Sequence, residues 1–245
     1  MSLIYLISSL AIIILFTIAK KTNNKLNIIK TICINIVLFW CYNVVICYIN
    51  HWINIKSNLE TLSIENMIFI IPIVTYILKT KKVQKYEIYM RDIIFLITLV
   101  IVVIVITYLY YGIPIKIKYF MTDAANHYSY AKFFYQNSTL MVNGIRPAGY
   151  INGGILLKIF EPVVGIESLY KIFILFDVFI FMVQILLVYF AITAKIKNKL
   201  EYIIAVIISM ICLCGYPLNN LLGGSTYLEI SITFVLARNS NVTRY

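Results

Sequence analysis

IIFLITLVIVVIVITYLYY, residues 93–111, runs for nineteen residues without a charge, a proline or a glycine. Wound as an α-helix at 1.5 Å per residue it is about 28 Å long, close to the roughly 30 Å of a bilayer's hydrocarbon. Working outward, comparable apolar runs occupy residues 3–19, 28–49, 62–78, 169–194 and 202–222, with an eleven-residue stub at 227–237. Repeated runs of this length, rather than one pooled core, predict an all-α polytopic membrane protein of about six to seven transmembrane helices. The sequence divides into a four-span bundle (1–112), a long loop (113–168) and C-terminal spans (169–245).

Composition agrees. The 245 residues are 62% hydrophobic and only 13% charged, with a mean hydropathy of +0.90, whereas soluble domains carry about 25% charged residues. The net charge of +11 does not describe a nucleic-acid surface, because the basic residues are not interleaved with stacking aromatics on a soluble face. They gather in alternate loops: Lys20, Lys21, Lys25 and Lys30; Lys79, Lys81, Lys82, Lys85 and Arg91; Lys195, Lys197 and Lys199. The loop after the second run has only Lys56. The positive-inside rule therefore puts the three basic loops in the cytoplasm, and the N-terminus and residues 113–168 outside a cell membrane. The first run lacks a basic leader and a small-residue cleavage site and is expected to remain as a helix. Five cysteines, Cys33, Cys41, Cys47, Cys212 and Cys214, lie within apolar runs, where a thiol behaves as a small hydrophobe.

Polar residues are sparse in the first four spans. Asn35, Asn43, Thr75 and Thr98 are expected to hydrogen-bond between helices, and His51 and Trp52 to sit at the membrane interface. The segment 113–168 differs, mixing Pro, Gly and Asn with two stretches of helical period. In TDAANHYSYAKFF (122–134), Asp123 precedes a helix over 124–135 whose Tyr130, Phe133, Phe134 and Lys132 stem suit a membrane surface. A second helix is expected over 148–160, after Gly144, Arg146 and Pro147. Both are read as amphipathic surface helices in one long outer loop.

Asp123 and His127 are four residues apart, one face of a helix, with Cβ atoms about 6 Å apart. Such a pair is suited to sharing a proton, holding a phosphate or binding a metal; equally, Thr122 or Asp123 suits a helix cap with His127 at the interface. A divalent metal stays open as a cofactor, although no second carboxylate–histidine pair completes a protein cage. Arg146 in GIRPAGY either grips a lipid phosphate through its planar fork or snorkels to headgroups. Asp177 lies well inside the fifth span, where an aspartate costs about 2.5–3.5 kcal/mol and must face protein or water. Gln184, seven residues on, shares its face. The pair suits either packing or a polar path.

An acidic residue shortly after a span, an amphipathic helix, a Pro/Gly break, a second amphipathic helix and a long span together resemble the GT-C superfamily of integral-membrane glycosyltransferases. The resemblance rests on TDAANHYSYAKFF, on RPAGYINGGILLKIFEPVVGIESLYKIFILFDVF, and more loosely on GYPLNNLLGG at 215–224. It implies a polyprenyl-linked sugar donor used on the outer face for cell-envelope glycan assembly, with inversion at the sugar. By position Asp123 would be the catalytic base; His127 and Arg146, by their own chemistry and not by a family motif, are candidates for binding the substrate's phosphate and neutralising its developing charge. Members of the superfamily commonly have one span before the acidic loop, where this chain has four, and continue beyond a seventh span. The short stub 227–237 and the polar RNSNVTRY after it are read as the mark of a truncated product. The alternatives are a non-catalytic membrane subunit or transporter-like protein using Asp177 and Gln184, and a glycan polymerase. Membrane lipids are the expected partners and nucleic acid is not.

The orientation is testable by labelling single cysteines in intact cells. A cysteine at Asn137 is expected to react from outside; reaction only after permeabilisation would invert the topology.

Overall fold

The structure is a computed structural model that describes residues 1–19, 25–80, 84–113, 115, 122–140, 148–193 and 199–211. Its elements are α1 (Ser2–Ala19), β1 (Leu26–Asn27), α2 (Ile28–Trp52), α3 (Leu59–Thr80), β2 (Tyr86–Glu87), α4 (Met90–Tyr111), α5 (Thr122–Asn137), α6 (Ala148–Val164), a 3-10 turn (Ile166–Ser168), α7 (Leu169–Thr193) and α8 (Lys199–Ile211). Helices α1, α2, α3, α4 and α7 are long and apolar enough to cross a membrane, as five of the expected runs require. Helix α8 covers the start of the sixth run. The rest of that run, the stub 227–237, the stretch 215–224 and Cys212 and Cys214 lie outside the described residues, as do Lys20, Lys21, Lys81, Lys82, Lys195 and Lys197. The two helices expected between the fourth and fifth long runs are α5 and α6.

Two compact units make up the chain: Met1–Tyr89 with Ala131–Leu169, and Met90–Tyr130 with the chain from Tyr170 onward. In the first, α1 packs against α2, α3 and α6. Its apolar surface is interrupted by polar groups that each reach a different neighbour. Asn66 of α3 donates to Ser8 Oγ at 3.0 Å, and Asn35 of α2 donates to Thr17 Oγ1 at 2.8 Å. Tyr5 donates to Asn43 Oδ1 at 3.1 Å, Asn43 donates to Asn152 Oδ1 at 2.9 Å, and Asn152 donates to the Trp40 carbonyl at 3.2 Å. This chain of amides ties α1, α2 and α6 together at buried positions.

Two of the four polar residues expected to bridge helices make no such bond among the described residues. Thr75 donates to the Ile71 carbonyl of its own helix, and Thr98 is exposed. A threonine hydroxyl is short and finds the carbonyl one turn back, whereas an asparagine amide extends past its own backbone.

The connections at one end of this unit are joined by β1 and β2, which pair in parallel, Leu26 with Tyr86 and Asn27 with Glu87. Lys25 and Glu87 add an ion pair, and the Tyr86 hydroxyl donates to the Thr17 carbonyl. At the other end of α2, Ser57 N donates to the Ser138 carbonyl at 2.8 Å, so the α2–α3 connection meets the C-terminus of α5. Trp52, 76% exposed at the end of α2, suits an interfacial anchor.

The second unit is organised around Tyr189 of α7. Its hydroxyl donates to Asp92 Oδ1 at 2.6 Å, and its ring stacks on Phe95 with centroids 4.0 Å apart. Asp92 stands in the first turn of α4, where the positive end of the helix dipole favours a carboxylate. Tyr202 of α8 contacts the edge of the Tyr189 ring, and Arg91 lies 5.6 Å from the Tyr202 ring centroid. One aromatic group thus joins α4, α7 and α8.

At Gly154 helices α5 and α6 come into close contact. A Cβ there would stand 2.7 Å from the Ala131 carbonyl oxygen and 2.8 Å from the Phe134 ring, and a backbone oxygen within a helix cannot step aside. Gly154→Ala is expected to destabilise the protein by about 1–3 kcal/mol, read as a lower thermal midpoint in detergent. An unchanged midpoint would show that α5 and α6 are not in close contact.

Candidate functional site

The polar island at 122–134 folds as α5, and the helix begins two residues earlier than the spacing predicts. Asp123 therefore belongs to the first turn rather than preceding it, where backbone N–H groups without helical partners favour an anion. The side chain of Asp123 is outside the described residues, as is the whole of Arg146 with its GIRP stretch. His127 lies one helical turn beyond Asp123 and is buried, 6% exposed. Its ring meets the edge of Tyr130 with centroids 6.4 Å apart, and neighbouring Tyr128 packs on Phe173 of α7 at 5.8 Å. The imidazole is thus inside an aromatic setting and not spread on an open surface.

Asp177 and Gln184 are also buried, 3% and 2% exposed, two turns apart on α7. Among the described residues, no three His, Cys, Asp or Glu side chains gather as a metal site would require.

A group that sequence reasoning missed is Lys158, in the middle of α6. Its ammonium donates to Ser138 Oγ and, at 3.5 Å, to the Ser57 carbonyl. It also lies 5.2 Å from the Phe134 ring centroid, a cation–π arrangement. Ser57 is itself buried and accepts from Asn50 Nδ2 at 3.2 Å. Among the described residues no carboxylate forms an ion pair with Lys158. Burial pushes this ammonium down to about 8, with nearby Cys47 opposing the shift. The local signal was the lone cation in GGILLKIF, flanked by Leu157 and Ile159, both buried.

A lysine whose folded pKa is below its unfolded value, about 10.4, binds fewer protons when folded across that interval. Stability therefore rises with pH between about 8 and 10.4. Lys158→Met is expected to flatten that rise, by about 1–3 kcal/mol at its upper end. Unfolding midpoints of the two proteins at pH 7 and pH 10 check this; parallel curves would mean that Lys158 is solvated.

No family model, curated protein or solved structure matches this chain.

Proposed function

We propose that this chain is a multi-pass membrane glycosyltransferase that takes a sugar from a polyprenyl-linked donor at the outer face of a cell membrane, in cell-envelope glycan assembly. The observation that carries this reading is the placement of residue 123 in the first turn of a helix, with a buried histidine one turn further on. Five helices long and apolar enough to cross a membrane suit a substrate that is itself a lipid.

In this reading Asp123 takes the proton of the acceptor hydroxyl, whose oxygen forms a bond to the sugar's anomeric carbon. The bond from that carbon to the phosphate oxygen breaks, inverting the centre, and the polyprenyl phosphate leaves with its electron pair. His127 and Arg146 offset the charge that develops on the phosphate. The orientation assigned from the basic loops places residues 113–168 on the side where the lipid-linked sugar is presented.

A second reading, a transporter-like protein or non-catalytic subunit, is favoured by the burial of Asp177 and Gln184 in α7. The two readings depend on different carboxylates. Transfer from a polyprenyl-linked sugar, assayed in membranes, is expected to fall by about 10² to 10⁴ in Asp123→Asn, the usual share of a general base. Asparagine keeps the ability to cap the helix while losing basicity. Near-normal transfer by this variant would give Asp123 a purely structural role in the first helical turn, and loss of transport in Asp177→Asn alone would favour the second reading.

A further inference from the structure

Within the second unit an apolar groove of about 290 Å³ runs between α4 and α7. One wall is Val103, Ile104 and Thr107; the other is Leu175, Val178 and Met182. Thr107 donates its hydroxyl to the Val103 carbonyl at 2.7 Å, so its hydrogen-bonding group is engaged within its own helix. Near the α4 terminus, the Tyr170 hydroxyl donates to the Ile115 carbonyl at 3.0 Å, which fixes the chain after α4 beside the groove.

The spacing along α7 adds a charge. Lys171, Leu175, Val178 and Met182 follow one another at intervals of four, three and four residues, one face of a helix. The cation thus stands at the end of the apolar wall, near the helix terminus, with its Nζ 5.8 Å from the Tyr170 ring centroid. Among the described residues it makes no ion pair with a carboxylate. From Lys171 to Met182 the helix rises about 16 Å, half of the roughly 30 Å hydrocarbon layer. That is the depth of one leaflet.

We propose that this groove holds one acyl chain of an anionic phospholipid from the surrounding membrane, with Lys171 taking the phosphate. The groove together with Lys171 spans about one leaflet, and an apolar trough with a cation beyond its end complements such a molecule in length and in charge. A long isoprenoid chain would overrun it. None of the groove's lining residues is used by the transferase reading, and the proposal does not rest on that reading.

The full chain, purified in mild detergent, is incubated with phosphatidylglycerol or phosphatidylcholine of identical acyl chains, and bound lipid is counted by native mass spectrometry. The unmodified protein is expected to retain the anionic lipid at least about tenfold over the zwitterionic one, as a pairing of about 1.4 kcal/mol implies. Lys171→Gln is expected to remove that preference and Lys171→Arg to keep it. Leu175→Trp, at a position 46% exposed so that the added bulk enters the groove and not the core, is expected to lower retention of both lipids. Equal retention of the two lipids by the unmodified protein, or an undiminished preference in Lys171→Gln, would overturn the proposal. So would displacement of phosphatidylglycerol by an equimolar polyprenyl phosphate, which would give the groove to an isoprenoid. None of these readouts involves sugar transfer, so loss of the enzymatic reading leaves the result standing.

Discussion

Asn43 uses both ends of its amide: its oxygen accepts from Tyr5 of α1 and its nitrogen donates to Asn152 of α6. Among apolar helices, polar side chains are what give one packing arrangement an advantage over another, because hydrocarbon and leucine are alike to a neighbouring helix. Each such bond contributes about 0.6–2 kcal/mol in a membrane, and an unpaired amide would cost more. The position of α6 follows from this. It is shorter than the spanning helices and is joined to α2 through Asn152, which reaches both Asn43 and the Trp40 carbonyl. Once α6 is seated there, Gly154 admits α5 to close contact, and Lys158 comes within reach of Ser57 and Ser138.

The spanning helices were legible because a bilayer imposes a length, and a length can be counted along a sequence. Helix α4 begins at Met90, three residues before its apolar run, since a first turn tolerates the charges of Arg91 and Asp92 that a hydropathy count excludes. Which polar residues connect the helices was only half legible. Asn35 and Asn43 cross between helices, while Thr75 turns back on its own carbonyl; the two outcomes depend on side-chain reach and on the face each residue occupies.

For the candidate site, the spacing of Asp123 and His127 could be read from the sequence because both belong to one helix, and helical period is a local property. Lys158 could not be read in this way. What makes it unusual is contact with Ser138 and Ser57, 20 and 101 residues away in sequence, and neither serine carries a local signature. The same holds for Tyr189 and Asp92, separated by 97 residues. A tyrosine in an apolar run looks like interfacial decoration until its carboxylate partner is known.

The short parallel pairing of Leu26–Asn27 with Tyr86–Glu87 bears on how the chain enters its membrane. Between the two strands lie α2 and α3, both long and apolar enough to cross a membrane, and when both cross, the strands stand on the same face. If either were left out of the bilayer, the strands would stand on opposite faces, with the hydrocarbon between Lys25 and Glu87. A contact of two residues on each side thus reads the parity of the insertion events before it and rewards the even outcome. The ion pair and the Tyr86 bond to α1 form only on that outcome, which makes this junction a check on topology built into the end of the bundle.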